Sequence, residues 1–343
     1  MMITVQVSQP SRLALMARVL VNMFVVLVGA YGLSVSGLLL LRALVGESWS
    51  LIGLANTYLY LLLLPAIVLL PLCLFLRRRL LIVELATPFL FFVFTFGSSF
   101  LPRTVAALGD IPRIHLLSYN INRGNRQVES VIQNIKNAAA DVVLIQELSP
   151  WMTEAFLAQL SELYPYRAFH PQDSFNGQGA LSKFPILVDD YWQINLGHQR
   201  IEIDWNGIPV TLYNVHPVHP LNGLGYEGER RAMEVRDVLQ RMSKEQNRLL
   251  LVGDFNMTEL AGDYARVSAL YADTYKQVGW GMGFTFPDFA SAFGVYHLPP
   301  IARIDYVFHD ENFIPLEARV LPDSGGSDHF PLYAVLGLKE SLP

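Results

Sequence analysis

The sequence predicts an α/β protein: two β-sheets facing each other with helices outside, a two-sheet, four-layer sandwich, preceded by three transmembrane α-helices. Three observations predict it. Composition changes sharply near Arg103, from long apolar blocks to the mixture typical of a soluble enzyme. Beyond Arg113, strand-like and helix-like periods alternate. Several successive strands are joined by turns too short for a parallel crossover, which disfavours a doubly wound parallel sheet.

The apolar blocks come first. Val19–Leu41, Leu51–Leu76 and Leu80–Leu101 each reach the roughly 20 apolar residues that a spanning helix needs. The first is too long, and too closely followed by the second, for a cleaved signal peptide. Arg12 and Arg18 precede the first run, and Arg77, Arg78 and Arg79 separate the second from the third. In the short loop between the first two, Arg42 and Glu47 roughly cancel. The positive-inside rule places the N-terminus and the triple-arginine loop in the cytoplasm, so three crossings leave everything after Arg103 outside it. Glu84, one turn into the third run, is expected at headgroup level beside those arginines. The division expected is a membrane anchor over 1–103, a linker over 104–113 and a soluble domain over 114–343. Ten linker residues reach at most about 35 Å, which keeps that domain close to the bilayer.

Charge divides at the same boundary. Residues 1–103 hold seven Arg and two Glu, net +5. That leaves 18 of the 25 Lys+Arg and 28 of the 30 Asp+Glu for the remainder, net −10. Such a domain is a poor electrostatic partner for nucleic acid, whose binding rests on many cationic contacts to phosphate. The single cysteine, Cys73, lies in the second apolar run. This rules out a disulfide framework and a thiolate metal site.

In the soluble region, Ile114, Leu116 and Ser118 alternate onto one strand face that Asn120 ends. Val128–Ala139 carries a helical stripe of Val128, Val131, Ile132 and Ile135. Val142–Gln146 is the continuous apolar run of a strand covered on both sides, and it stops at Glu147. Trp151–Leu163 reads as a helix. Short strands are expected around Tyr166–His170, Gly179–Ser182, Ile201–Trp205 and Val210–His216, with Asn206-Gly207 as a hairpin turn. Tyr226–Lys244 is helical, Leu249–Gly253 is an apolar strand ending at Asp254, and Ile304–Phe308 and Leu332–Leu338 are the last strands.

Polar residues collect where these strands stop. A buried Glu147 is costly unless paired; a metal would pair it, as would capping the helix near Pro150. Asp254 and Asn256 share parity, so an extended backbone points both to one side. A carboxylate there holds or deprotonates a water, and the amide orients a phosphate oxygen. The competing reading is an Asx turn. Asp305 is placed to orient a catalytic imidazole such as His329, beside Asp328. His216 suits a general acid to a leaving oxygen. A zinc pair with His219 is the alternative, without an evident set of further histidines. The remaining histidines, His198 among them, receive no role.

Taken together these segments resemble the endonuclease/exonuclease/phosphatase superfamily, the deoxyribonuclease I-like fold. The resemblance rests on Ser118-Tyr-Asn120-Ile-Asn122, Ile145-Gln-Glu147, Gly179-Ala-Leu-Ser-Lys-Phe-Pro-Ile186, Asn214-Val-His216, Gly253-Asp254-Phe-Asn256, Arg303-Ile-Asp305-Tyr306 and Ser327-Asp328-His329, in the family's order. It spans nearly the whole soluble region. It implies that Glu147 ligates Mg²⁺ (or Mn²⁺), with Asn120 and Asp328 nearby as ligands or through water. It further implies that Asp254 and His329 activate the attacking water and Asp305 orients His329. His216 would protonate the leaving group or steady the transition state, and Asn256 would hold a nonbridging oxygen. Asn122 departs from the pattern where several family nucleases carry Asp, which implies a weaker or different metal hold. Hard oxygen donors without thiolates suit Mg²⁺ better than Zn²⁺.

The function expected is a membrane-anchored, metal-dependent phosphodiesterase acting outside the cytoplasm, most readily on a phospholipid or sphingolipid headgroup. A membrane-tethered nuclease and an inactive lipid- or phosphate-binding module are the alternatives.

Overall fold

The computed structural model describes residues 11–47, 49–103, 109, 111–222, 225–296 and 298–339. Most of the expected linker 104–113, and His297, lie outside these. The chain forms two compact units, Met1–Gly46 with Tyr58–Ser98, and Glu47–Thr57 with Ser99–Pro343.

The first unit holds α1 (Arg12–Val45), α3 (Leu59–Phe75) and α4 (Arg79–Phe96); α2 (Ser50–Thr57) falls in the second. Val28, Ala66, Leu70, Cys73, Leu81 and Leu85 make a shared apolar core between the first unit's helices. Small residues let α1 and α4 approach closely: a side chain at Gly32 would press on the Glu84 backbone and Cβ. Pro65 interrupts α3. The Tyr31 hydroxyl helps satisfy the backbone there, donating to Leu62 O at 2.7 Å and accepting from Ala66 N at 3.1 Å.

The helices Arg12–Val45 and Arg79–Phe100 are each long and apolar enough to cross a membrane, and the bent pair Ser50–Thr57 with Leu59–Phe75 makes up to three. The middle run expected as one span, Leu51–Leu76, is thus broken at Tyr58. Its first part is held by polar bonds that a lipid-facing helix would not make. Asn56 Nδ2 donates to Glu47 Oε1 at 2.7 Å and to Leu260 O at 2.8 Å, and Gly53 lies against the Tyr226 ring so closely that any side chain would collide with it.

The second unit contains β1 (Arg113–Asn120), α5 (Val128–Ala138), β2 (Val142–Gln146), α6 (Pro150–Gln159), β3 (Tyr166–His170), β4 (Gln178–Ser182), β5 (Ile186–Gln193), β6 (Gly197–Trp205) and β7 (Ile208–Val215). After the small hairpin of β8 (Leu221–Asn222) and β9 (Gly225–Tyr226) come α7 (Gly228–Met242), β10 (Arg248–Asp254), α8 (Gly262–Ser268), β11 (Ala272–Asp273), α9 (Thr274–Val278) and α10 (Phe289–Phe293). β12 (Asp305–His309), β13 (Phe313–Val320) and β14 (Leu332–Leu338) complete it. One six-stranded sheet runs β13-β14-β1-β2-β4-β3 and the other β11-β12-β10-β7-β6-β5. Both are mixed: β1 with β2 and β7 with β10 are parallel, the other pairs antiparallel.

Strand parity builds the layers. Ile114, Leu116, Val142 and Leu144 of one sheet meet Val210, Leu212, Leu250, Val252 and Val307 of the other. The opposite parity, Leu117, Tyr119, Val143 and Ile145, packs under α5 and α6. Tyr213, Leu249, Leu251 and Phe308 pack under α7 and α8. This is the four-layer sandwich expected. Asn206 and Gly207, at φ 54° and 87°, close the β6–β7 hairpin with Trp205 opposite Ile208, as the dipeptide predicts.

Five strands were not visible in the sequence, β5 and β13 and the two-residue β8, β9 and β11, and all lie at sheet edges. Edge strands carry charges and irregularities that break simple alternation. β5 contains Asp189 and Asp190, and β13 contains Pro315 with a register shift between Pro315 and Glu317.

Candidate functional site

Each strand face that is apolar through the inter-sheet core becomes polar at one end. On β1 the series Ile114, Leu116, Ser118 runs on to Asn120. On β7, Val210 and Leu212 run on to Asn214 and His216; on β10, Leu250 and Val252 run on to Asp254. Val307 of β12 shares its face with Asp305. Because side chains repeat every second residue, these polar groups face the same gap as the core. A buried amide layer divides the two regions: Gln146 Nε2 donates to Asn214 Oδ1 at 2.7 Å, and Asn214 Nδ2 to Ile145 O at 3.0 Å.

Beyond the amides lies the site. Asn120 Nδ2 donates to Glu147 Oε1 at 3.1 Å and to Asp254 Oδ2 at 3.0 Å. Arg123 N donates to Glu147 Oε2 at 3.0 Å. His216 Nε2 lies 3.4 Å from Asp254 Oδ2 and 3.9 Å from Glu147 Oε1, while its Nδ1 is 3.2 Å from Phe175 O. His329 Nδ1 is 3.0 Å from Asp305 Oδ2 and its Nε2 3.6 Å from Asp254 Oδ2. Ser327 Oγ ties the His329 loop to β1 by donating to Asn120 O at 2.7 Å. Thus Asn120, Glu147, His216, Asp254, Asp305 and His329 form one connected buried cluster. Asp328 stands at its margin, where Oδ1 accepts from Asn122 Nδ2 at 2.8 Å.

The Asp254–Asn256 parity expectation is not met. Asn256 has φ 49°, so the chain turns instead of staying extended. Its N–H donates to Asp254 Oδ1 at 2.9 Å, an Asx turn, and its Nδ2 donates to Pro217 O at 3.1 Å. Asn122 (56°) and Glu147 (59°) also sit in the left-handed region. Each such non-glycine conformation costs about 1–3 kcal/mol, and three of them at the ends of strands re-aim side chains into the gap. Just before Asp254, Gly253 at φ 142° allows β10 to approach β7 where any side chain would strike Val215 O.

Electrostatics follow from burial and crowding. Asp254 and Asp305 are cross-strand partners, an arrangement that costs energy unless a cation intervenes. His329 intervenes. Burial alone would depress its pKa, but the Asp305 and Asp254 carboxylates outweigh that and push it up to about 10. Burial would likewise raise Asp254, but the charges and hydrogen bonds of His329 and His216 hold it down at about 2. Asp305 is raised by burial despite His329. His216 is raised because Asp254, with Glu147, overcomes its desolvation. At neutral pH the cluster therefore holds an anionic Asp254 beside a cationic His329.

Two residues without a role in the sequence reading support His216. His198 is fully buried, and its Nδ1 accepts from His216 N at 3.2 Å; burial holds its pKa low. Its Nε2 lies 3.5 Å from Glu234 Oε1. Glu234, buried on α7, also accepts from Leu196 N at 2.8 Å, Asn195 N at 2.9 Å and Val218 N at 2.6 Å. The only signal available in the sequence was that Glu234 falls between the apolar positions Ala232 and Val235. Burial would raise the Glu234 carboxyl, but His198 and the Val218 and Leu196 amides lower it below its ordinary 4.5. A depressed carboxyl stabilises the fold above its unfolded value and loses that contribution as pH falls through the folded one. Glu234→Gln is expected to cost about 1–3 kcal/mol at pH 7 and less at pH 4, measured by denaturant unfolding at the two pH values.

The family model described as "Endonuclease/Exonuclease/phosphatase family" matches residues 117–329, a span that takes in every residue of the cluster. The chain belongs to the endonuclease/exonuclease/phosphatase family. Solved structures agree on the fold. A humanized TDP2 from D. rerio superposes with TM-score 0.55 at 18% identity, over 66% of this chain and 99% of its own. An endonuclease/exonuclease/phosphatase family protein from Bacteroides thetaiotaomicron gives 0.53 at 19%, over 68% and 100%. D. rerio TDP2 complexed with single strand DNA product gives 0.53 at 17%, over 66% and 99%. No curated protein matches the chain.

Members of this family hydrolyse phosphoric esters, usually with a divalent metal, and the donor set here fits one. The carboxylate oxygens of Asp254 and Asp305 and a ring nitrogen of His329, the last a ligand only once its proton is lost, all lie within 4.8 Å of one another. Glu147 and Asp254 are bridged by the Asn120 amide, which donates to both, and by His216 Nε2, 3.9 Å and 3.4 Å from them. Carboxylates and amides without thiolate are the ligands of a hard cation.

Proposed function

We propose that the protein is a membrane-anchored, Mg²⁺- or Mn²⁺-dependent phosphodiesterase that cleaves a phospholipid or sphingolipid headgroup outside the cytoplasm. The observation that carries this reading is the meeting of Glu147, Asp254, His216 and His329 around Asn120. Glu147 would hold the metal, with Asn120 and Asp328 as further ligands or through water. A hard divalent cation there would offset the charge that builds on phosphorus oxygens. Asp254, anionic, accepts the proton of the attacking water, and cationic His329, oriented by Asp305, neutralises the phosphate. His216 faces the leaving oxygen. Asn256, its Nδ2 committed to Pro217, acts at a nonbridging oxygen only if that bond yields.

The arginine pattern supports the outward orientation, and the second unit, by its make-up, fits three crossings. It combines Glu47–Thr57, after the first apolar run, with Ser99 onward, after the third. In a three-span chain those two segments share one side of the membrane. A nuclease is the second reading, favoured by the TDP2 complex with a DNA product and disfavoured by the net −10 of residues 104–343.

The test reconstitutes the full chain in vesicles with Mg²⁺ or Mn²⁺ and compares headgroup release with plasmid nicking, with and without a chelator. Headgroup release lost on chelation is expected. Nicking without headgroup release establishes the nuclease, and no turnover with either substrate leaves the binding module. A C-terminal reporter active only outside the cytoplasm is expected to be active; a signal from a cytoplasm-only reporter overturns the orientation.

A further inference from the structure

The segment from Trp280 to Pro300 is unlike the rest of its acidic unit. Across these 21 residues the only charged side chain is Asp288. That carboxylate is occupied internally, accepting from Ser291 Oγ and Ser324 Oγ at 2.7 Å each and from Ala290 N at 3.1 Å. The flanking side chains face out: Trp280 is 71% exposed, Phe293 66% and Tyr296 70%, with Val295 and Leu298 also exposed. Helix α10 within it buries none of its residues. Large exposed apolar groups clustered this densely in sequence mark a surface meant to be covered.

Chain continuity says what covers it. The candidate span Arg79–Phe100 ends at Phe100, and its last two residues touch this segment. Gly281 N donates to Ser99 O at 2.8 Å, and the Phe100 and Trp280 rings meet edge-on at 6.2 Å. Just beyond, Arg103 Nη1 donates to Gln277 O at 3.1 Å. A residue in contact with the end of a span lies at headgroup level, the depth that Trp and Tyr prefer. The middle of the same segment walls the site. The Phe286 ring lies 4.8 Å from the His329 ring, Asp288 N donates to Asp328 O at 2.8 Å, and Thr285 Oγ1 accepts from Asp305 N at 3.4 Å.

We propose that the described residues of the Trp280–Pro300 segment form a bilayer-contacting surface, whose exposed aromatic residues enter the interfacial zone of the membrane that holds the protein's own helices and seat the His329 wall against it. This does not depend on which phosphoester is cleaved.

Because Cys73 is the only cysteine, Cys73→Ala provides a background for single spin labels. Trp280→Cys, Tyr296→Cys and, as an aqueous reference, the exposed Leu163→Cys are labelled in the full chain. They are reconstituted in phosphatidylcholine–phosphatidylglycerol vesicles. The expected result is a shift at 280 and 296 toward collision with oxygen over a water-soluble nickel chelate, with no such shift at 163. Either label reading as aqueous as the reference overturns the proposal. So does protection accompanied by dipolar broadening between labels, which would assign the surface to a second copy of the chain. A label-free measurement keeps the question open to refutation should Cys73→Ala fail to fold. Lipids with brominated chains quench the native tryptophan emission, and Trp280→Phe is expected to lower the quenched fraction; an unchanged fraction overturns the proposal.

Discussion

Asp254→Asn is expected to lower turnover of a phosphodiester by about 10²–10⁴-fold, the range for removing a general acid–base group, while the protein stays folded. Asp254 is the hub of the cluster: Asn120, His216, His329 and the Asn256 amide all address its carboxylate. The substitution keeps shape, removes the charge and turns one of the two acceptor oxygens into a donor. It thereby removes the anion that His329 and His216 face; a carboxyl held at about 2 stabilises the fold at neutral pH, so stability is expected to fall, offset in part by relief of the contact with Asp305. The charge on Asp254 raises the pKa of both imidazoles. Their pKa values are therefore expected to fall in the variant, moving the alkaline limb of any remaining pH–rate profile to lower pH. Steady-state kinetics on a chromogenic phosphodiester, paired with thermal unfolding, checks both parts. Turnover within tenfold of the native protein would remove Asp254 from the chemistry.

The largest stability effect is expected two residues before Asp305. Arg303 is buried, with Nη1 donating to Asp273 Oδ2 at 2.8 Å and Nη2 to Glu259 Oε2 at 3.0 Å, and its guanidinium lies 4.6 Å over the Tyr306 ring. Asp273 in turn caps α9 at Lys276 N and accepts from the Tyr264 hydroxyl. Arg303→Ala leaves the buried Asp273 without its cation and the partly buried Glu259 with only Lys276 at 3.8 Å, a change that costs about 3–5 kcal/mol. Chemical denaturation of the full chain in detergent is expected to show a loss of that size. The midpoint of Arg303→Lys should fall between the two, because an ammonium restores charge without the two-pronged geometry. A change below about 1 kcal/mol, the ceiling for exposed pairs, would mean that the network is solvated.

Much of this was legible in the sequence because strand parity is a local property. The run Ile114, Leu116, Ser118, Asn120 is readable without a partner, and so are the apolar strands ending at Glu147 and Asp254. What parity could not supply was the turn of the chain after each strand. Asn256 shares parity with Asp254 yet folds back into an Asx turn, because the backbone leaves the strand there at φ 49°. His198 and Glu234 were silent for a different reason. One is a polar residue in a strand and the other an acid on an amphipathic helix, the commonest of surface signatures. Only the packing of α7 against the Leu196 and Val218 loops buries them. Leu51–Leu76 reads as one straight run because hydropathy sums over a window and gives little weight to one Asn; in the structure it is a helix pair bent at Tyr58, with Asn56 hydrogen bonds holding Ser50–Thr57 within the second unit.

By itself the sequence determined which residues face the space between the sheets, where each such face turns from apolar to polar, and that the polar ends belong to a phosphoester-hydrolysing family. Tertiary structure decided how those ends meet: which imidazole lies between which carboxylates, which amide bridges Glu147 and Asp254, and which helix shelters the backbone of His216. The physical reason is range. Side-chain alternation and hydropathy are set within a few residues of chain, whereas the charge on His329 depends on carboxylates brought to it by strands that begin far away in sequence.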